Sequence, residues 1–217
     1  MFRLLSIMIE CISSAVFVIP AVLLWQYKIA KQKNFHKLLM LLIFLFYIIA
    51  ICSVTGIPTV DTLNTIDFSI NIIPFKEIIN SPVEYIKNSI LNIILFIPVG
   101  FLLPVIWKEY DSFKKTAFTG LILSVIIEIL QIFTFRLTDI DDIITNTLGT
   151  VLGYCIAKII LTCVSYKIVK ISNDNAIKNE SIIILMLAFL ISFLLKPLVS
   201  NSLWEILLES SLWEQIR

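Results

Sequence analysis

Charge is what this sequence has least of: Asp, Glu, Lys and Arg make up 15% of its 217 residues, against roughly 25% in an average soluble domain. With 17 basic and 16 acidic residues the formal net charge is +1. That leaves no broad basic surface for a polyanion, and no interleaving of aromatic and basic residues suited to a single-strand groove is visible. Nucleic acid is therefore excluded as a partner. The single histidine, His36, sits among Lys31, Lys33 and Lys37, which removes a His-based zinc site and leaves only oxygen to hold a metal. Five glycines form neither G-x-G-x-x-G nor a P-loop. No G-x-S-x-G turn or histidine base is present to activate Ser124. Nucleotide-driven work and serine chemistry drop out together. Cys11, Cys52, Cys155 and Cys163 lie in apolar runs without C-x-x-C spacing and read as small buried apolar residues.

In place of charge the chain carries hydrocarbon. Apolar residues are 59% of the total and the mean hydropathy is +0.96, where soluble domains are roughly 45–50% apolar. Six stretches are long enough for a helix to cross a ~30 Å hydrocarbon core. They run about Leu4 to Tyr27, Leu38 to Ile57, Ser89 to Trp107, Thr116 to Phe135, Ile143 to Tyr166 and Ser181 to Ser200. The expected fold is all-α, a polytopic membrane bundle of six transmembrane helices. Glu10 inside the first stretch, with no small-residue cleavage site after a short apolar run, makes that stretch a retained helix rather than a signal peptide. Pro98 and Gly100 should kink the third helix, because proline removes a backbone donor and displaces the carbonyl four residues earlier. Asn92 is one group able to satisfy a freed carbonyl. The chain then divides into two N-terminal helices at residues 1–57, a core of one long connection and three helices at 58–166, and a sixth helix with its tail at 167–217.

Basic residues sort unevenly among the connections. Lys28, Lys31, Lys33, Lys37, Lys108, Lys114, Lys115, Lys167, Lys170 and Lys178 fall in the first, third and fifth. Arg3, Lys76, Lys87, Arg136, Lys196 and Arg217 fall on the other side, with Lys158 left inside the fifth helix. The positive-inside rule then puts both termini and the second and fourth connections outside the cytoplasm. In the second connection, Ile70-Asn71-Ile72-Ile73-Pro74-Phe75 is apolar yet too short to span. It reads as a re-entrant or surface-lying segment, or as a plain loop. After the sixth helix, Leu203, Trp204, Leu207, Leu208 and Trp213 share a tail with Glu205, Glu209 and Glu214, which suits an interfacial helix or the packing of a partner helix.

Two polar-studded stretches interrupt this pattern. One is N-x-x-x-F-x-P-x-G from Asn92 to Gly100; the other runs from Ser124 to Gly153 and carries Glu128, Gln131, Arg136, Asp139, Asp141, Asp142, Asn146 and Gly149. A charge at mid-bilayer costs roughly 2.5–3.5 kcal/mol on insertion scales, so such residues mark a site. At 1.5 Å of rise per residue, Asn92 and Asn146 come about one turn below the outer helix ends and Glu128 roughly 10 Å below Phe135. Ser124, Glu128 and Gln131 share one stripe of the fourth helix, and Asp142, Asn146, Gly149 and Gly153 one stripe of the fifth. The expectation is a single polar patch near the outer face. Below it, Gly149-x-x-x-Gly153 offers a seam for close helix approach.

Three readings of that patch stand side by side. Asn92, Glu128, Gln131, Arg136, Asp139, Asp141, Asp142 and Asn146 can line a cavity for a lipid headgroup or other amphiphile, with the planar fork of Arg136 suited to phosphate or carboxylate. Alternatively, Asp139, Asp141 and Asp142 can ligate a divalent cation, with Glu128 as acid or base of a membrane enzyme acting on a polyprenyl phosphate or phospholipid. In the third reading Asp141 or Asp142 caps the fifth helix, Arg136 pairs with an acid, and the remaining groups only join helices. No other cofactor is called for.

The run Asn92-Ile-Ile-Leu-Phe96-Ile-Pro98-Val-Gly100 is followed by Ser124, Ile127-Glu128, Gln131, Arg136, Asp139-Ile-Asp141-Asp142, Asn146-Thr-Leu-Gly149 and Gly153-Tyr154. Together they resemble the VanZ-like family, and Ile73-Pro74-Phe75 resembles its N-P-F-type lead-in. The likeness covers about Ile70 to Lys158; the first two helices and the sixth carry no assignable motif. It implies a small protein of the bacterial cytoplasmic membrane in Gram-positive-type envelopes. The family's namesake lowers susceptibility to the lipoglycopeptide teicoplanin without remodelling the peptidoglycan precursor. The partners so implied are membrane lipids, and a lipid-linked cell-wall precursor or the lipoglycopeptide, met at the outer leaflet. In a cysteine-free background, Asp139→Cys should react with an impermeant thiol reagent added outside the cell. Reaction from the cytoplasmic side alone overturns this orientation.

Overall fold

The computed structural model describes residues 2–62, 70–134, 137–163 and 179–209. Each of the six apolar stretches forms a helix within its described residues: α1 (Phe2–Lys28), α2 (Phe35–Thr55), α4 (Pro82–Ile106), α5 (Phe113–Gln131), α6 (Ile140–Cys163) and α7 (Glu180–Glu209), with a one-turn α3 (Glu77–Asn80) ahead of α4. Local chemistry sets the ends. The Asn34 side chain accepts from the backbone N–H groups of His36 and Lys37 to start α2, and Gly56, at φ 69°, closes it in the left-handed conformation. Pro82 opens α4, at a position whose N–H would have no helical partner in any case. Helices α1, α2, α4, α6 and α7 are each long and apolar enough to cross a membrane. The 19 residues of α5 reach about 28 Å, but they include Lys114, Lys115 and Glu128. Glu128 is turned into the bundle and away from lipid, 2% exposed.

The bundle is an all-α membrane fold with one small addition. Ile70–Asn71 (β1) pairs in parallel with Thr138–Asp139 (β2), Ile70 opposite Thr138 and Asn71 opposite Asp139. This pair lies where α5 turns into α6, at the end that also holds Gly56 and the Glu10–Lys196 ion pair of 3.2 Å. We call it the acidic end. The segment read as re-entrant or surface-lying forms β1, a turn and α3, with Ile72, Ile73, Phe75 and Ile79 all exposed.

Helices α4 and α6 run parallel and touch backbone to backbone. A Cβ on Gly149 or Gly153 would overlap the carbonyl oxygens of Ile93 or Ile97, and one on Gly100 would overlap the carbonyl of Thr150. The expected seam is thus used within this one chain. Thr150 is wholly buried, and while its backbone meets Gly100 its side chain fills the space beside Gly120 of α5, so one residue joins three helices. Pro98 and Pro104 both lie inside the α4 helix. A carbonyl beside the proline gap, that of Leu95, accepts from the Tyr47 hydroxyl at 2.6 Å. The Asn92 side-chain amide serves a different partner, described below.

At the opposite end a buried ion pair ties α7 to the rest. Glu180 accepts from Lys37 Nζ at 2.6 Å, from Gln26 Nε2 at 2.8 Å and from the Trp107 indole at 2.9 Å. Lys37 and Glu180 are each only 2% exposed at the side chain. Removing one member of such a pair strands the other charge, at a cost of about 3–5 kcal/mol. Phe44, Trp107 and Tyr110 wall the site with edge-on rings, and above it Val18, Val22, Leu45, Phe96, Leu103 and Ile184 form the dry core. Nothing in the sequence patterning singled out this hub, because Lys37 reads there as one more loop charge.

Two helix boundaries differ from expectation. Helix α4 begins seven residues before Ser89, since Glu84, Lys87 and Asn88 lower hydropathy without opposing helix. Leu203, Trp204, Leu207 and Leu208 continue α7 without a break instead of forming a separate helix, and Trp213 lies outside the described residues. The α4–α6 contact yields a direct test. Gly100→Ala should separate the two helices and lower stability by at least the ~1–3 kcal/mol typical of overpacking, read as a lower unfolding temperature in detergent. An unchanged unfolding temperature would show that the backbones do not meet there.

Candidate functional site

The α5 stripe points where its spacing predicts. Ser124, Glu128 and Gln131 are all buried, at 0%, 2% and 5% exposure. Each reaches a different element. Ser124 Oγ accepts from Asn146 Nδ2 of α6 at 2.9 Å, and Gln131 Nε2 donates to the Thr55 carbonyl at the end of α2 at 3.1 Å. Glu128 Oε2 accepts the backbone N–H of Asp139 at 2.9 Å, while the Glu128 carbonyl accepts from Thr138 Oγ1 at 3.1 Å. A carboxylate set 11 residues before its partner therefore pins the turn that follows its own helix.

The start of α6 collects the three aspartates. Asp139 Oδ1 accepts from the backbone N–H of Asp141 at 3.0 Å, an Asx turn that caps the helix, and from Asn71 Nδ2 of β1 at 3.1 Å. Asp141 sends both carboxylate oxygens to the backbone N–H of Phe75, at 3.0 and 2.9 Å. Asp142 Oδ1 accepts from Asn92 Nδ2 of α4 at 2.7 Å. Asp141 and Asp142 also occupy the first turn of α6, where negative charge complements the helix dipole. The cap that the sequence assigns to Asp141 or Asp142 is made by Asp139, which frees Asp141 to hold a loop.

That loop is held in a strained shape. Phe75 has φ 61°, the left-handed region that favours glycine. Holding a bulky residue there costs of order 1–3 kcal/mol, a sum that its hydrogen bond to the Asp141 carboxylate, worth about 1.5–3 kcal/mol, can offset. Phe75 and its neighbours Ile72 and Ile73 are exposed around this anchor.

Seven of the eight candidate binding residues thus converge at the acidic end; Arg136 lies outside the described residues. They fall into two tiers. Glu128, Gln131, Asp141 and Asn146 are buried, whereas Asn92, Asp139 and Asp142 are partly exposed. Pro98, Gly100, Gly149 and Gly153 lie on the shared face of α4 and α6 or beside it. Gln131 Oε1 and Asn146 Oδ1 are buried and find no donor among the described residues. Among the described residues, four carboxylates and these two amide oxygens make the cluster rich in acceptors. Among the described residues, no three His, Cys, Asp or Glu side chains converge as ligands of one metal ion. Asn71, Thr55, Thr138 and the Phe75 amide escaped the sequence reading. Only Asn71 carried a signal, as the lone polar residue of the Ile70–Phe75 run.

These features define a polytopic helical membrane protein with a carboxylate and amide cluster at one end of the bundle. Residues 38–161 match the VanZ/LLP1 family, and the chain belongs to that family. Protein VanZ of Enterococcus faecium is 45% identical over 86 residues, 39% of this chain and 50% of that protein. The aligned part of this chain thus spans about half the length of that relative. No solved structure matches the chain.

The loop anchor can be tested in isolation. Asp141→Ala should lose about 1.5–3 kcal/mol and release Phe75 from its left-handed conformation. Backbone hydrogen exchange at residues 72–76 should then rise sharply while α1 and α2 stay protected. Exchange unchanged at 72–76 would remove Asp141 as the anchor.

Proposed function

We propose that this VanZ-like protein acts in the bacterial cytoplasmic membrane with its acidic end facing out, and lowers susceptibility to lipoglycopeptides such as teicoplanin by engaging a membrane amphiphile or lipid headgroup. The observation that carries this reading is the division of the cluster into two tiers. Buried Glu128 and Asp141 hold the turn at Thr138–Asp139 and the apolar loop at Phe75. Partly exposed Asn92, Asp139 and Asp142 remain within reach of a ligand. A headgroup ammonium or hydroxyl can share the carboxylates of Asp139 and Asp142, while Ile72, Ile73 and Ile79 meet the hydrocarbon boundary. Arg136, between α5 and α6 in sequence, is the residue suited to a phosphate or carboxylate of the same amphiphile.

Outward orientation agrees with the distribution of lysines and with the setting of the chemistry, because lipoglycopeptides and their lipid-linked targets meet the cell at the outer leaflet. The resemblance to the VanZ-like family supplies the phenotype to test. Expression of the wild-type chain in a susceptible Gram-positive host should raise the inhibitory concentration of teicoplanin. Asp142→Asn and Asn92→Ala should abolish that increase at unchanged protein abundance in the membrane. A wild-type chain that leaves teicoplanin susceptibility unaltered removes the resistance function, and variants as active as wild type remove the outer tier as its site.

A further inference from the structure

We propose a second site, along a different face of the bundle and reaching the acidic end: the groove between α2, α5 and α7, with the charged cleft at its end, binds one bilayer phospholipid whose headgroup joins a phosphate to a primary ammonium. None of its residues belongs to the carboxylate and amide cluster, so it does not rest on the reading above.

The groove follows from how α7 docks. This helix packs along α1 and is separated from α5 by a cavity of about 450 Å³, within the ~300–1,000 Å³ usual for ligand pockets. Ile49, Ile57, Leu123, Ile127, Leu185 and Phe189 are among its walls, and of the described residues that line it only Thr119, Cys52 and Ser192 are neither aliphatic nor aromatic nor thioether. Ile122, Ile126, Ile182 and Met186 line it while remaining exposed, so it opens sideways between α5 and α7, onto the lipid-facing surface. From Ile182 to Ser192 it runs about 15 Å along α7, the share of one leaflet in a ~30 Å hydrocarbon core. Hydrocarbon suits such a space better than water, which needs polar partners.

What sits at the end of the groove selects the lipid. Ile182, Leu185, Phe189, Ser192 and Lys196 follow one another at spacings of three and four, so a single stripe of α7 passes from apolar to charged. Cys52, Ile57, Phe189 and Ser192 border both the groove and a narrow gap that Lys196 closes. Beyond the gap lies a cleft of about 310 Å³ formed with Glu10, Asp61, Lys196, Asn201 and Trp204. Glu10 and Lys196 are paired at 3.2 Å, and Asn201 Nδ2 reaches Asp61 at 3.5 Å. Among the described residues one ammonium and two carboxylates line the cleft, a net charge of −1. A purely anionic headgroup would add to the acid excess. A zwitterionic one answers both signs, its phosphate at Lys196 and its ammonium at Glu10 and Asp61, beside the indole of Trp204.

The test uses the full chain reconstituted in lipid discs of equal phosphatidylethanolamine and phosphatidylglycerol, then released and weighed intact by native mass spectrometry. One retained phosphatidylethanolamine per chain is expected. Ile122→Trp fills the mouth from an exposed position, and Asp61→Asn removes one carboxylate from an exposed position. Each should lower that retention by about tenfold or more, as loss of a chain slot or of one charge-assisted contact entails. Retained lipid that mirrors the disc mixture, or retention undiminished in Ile122→Trp, overturns the proposal. Because teicoplanin susceptibility is read separately, failure here leaves the first site untouched and failure there leaves this one.

Discussion

The backbone contact between α4 and α6 is the constraint on which the acidic end depends. With no Cβ at Gly100, Gly149 or Gly153, the two helices run side by side at a separation that ordinary side chains forbid. That separation decides whether Asn92, two turns above Gly100, can reach Asp142, two turns above Gly149, at 2.7 Å. Through α6 it also fixes where Asp139 meets Glu128 and Asn71, and where Asp141 meets Phe75. Packing in membranes draws on small residues because no hydrophobic force favours one apolar surface over another. Here the glycines convert that packing into the placement of charge.

Among the described residues, the donors that meet the carboxylates of the cluster are oriented backbone N–H groups and side-chain amides of the protein itself. Glu128 takes the N–H of Asp139, Asp139 that of Asp141, and Asp141 that of Phe75, so two acids hold the chain that follows them and the third holds a loop 66 residues earlier. A buried carboxylate without such donors would shift toward its neutral form. The same device gives shape: a loop too short and too apolar to fold alone is stapled to the bundle at Asn71 and Phe75. Stability and site are therefore one network, and substitutions in its buried tier act on both.

Much of this was legible in the sequence wherever the controlling interaction is local or periodic. The stripes Ser124-Glu128-Gln131 and Asp142-Asn146-Gly149-Gly153 follow from helical spacing alone, and both fall where expected because lipid leaves polar groups only one direction to turn. Six helices could be read for the same reason. Interactions between distant segments were not legible. Lys37 looks like a loop charge until Glu180 arrives to bury it, and Asn71 gains meaning only once β1 lies against β2. Asn92 reads in sequence as a donor to a carbonyl freed by Pro98, whereas its amide meets Asp142 of α6, a partner 50 residues away that no spacing rule connects to it. Arg136 carries its sequence argument alone.

The Lys37–Glu180 pair also has a meaning for how the chain is made. Its members are 143 residues apart, so at typical synthesis rates of 5–20 residues per second the lysine is in place roughly 7–30 s before its counter-ion exists. During that interval α2 carries a cation that it cannot yet bury, together with Gln26 at the end of α1. The early helices must therefore wait with that end against water and headgroups, and they become a sealed bundle only when the last helix delivers its first residue. Assembly thus finishes from the C-terminal side, and a chain cut short before Glu180 exposes the defect as an unneutralised charge at the membrane boundary.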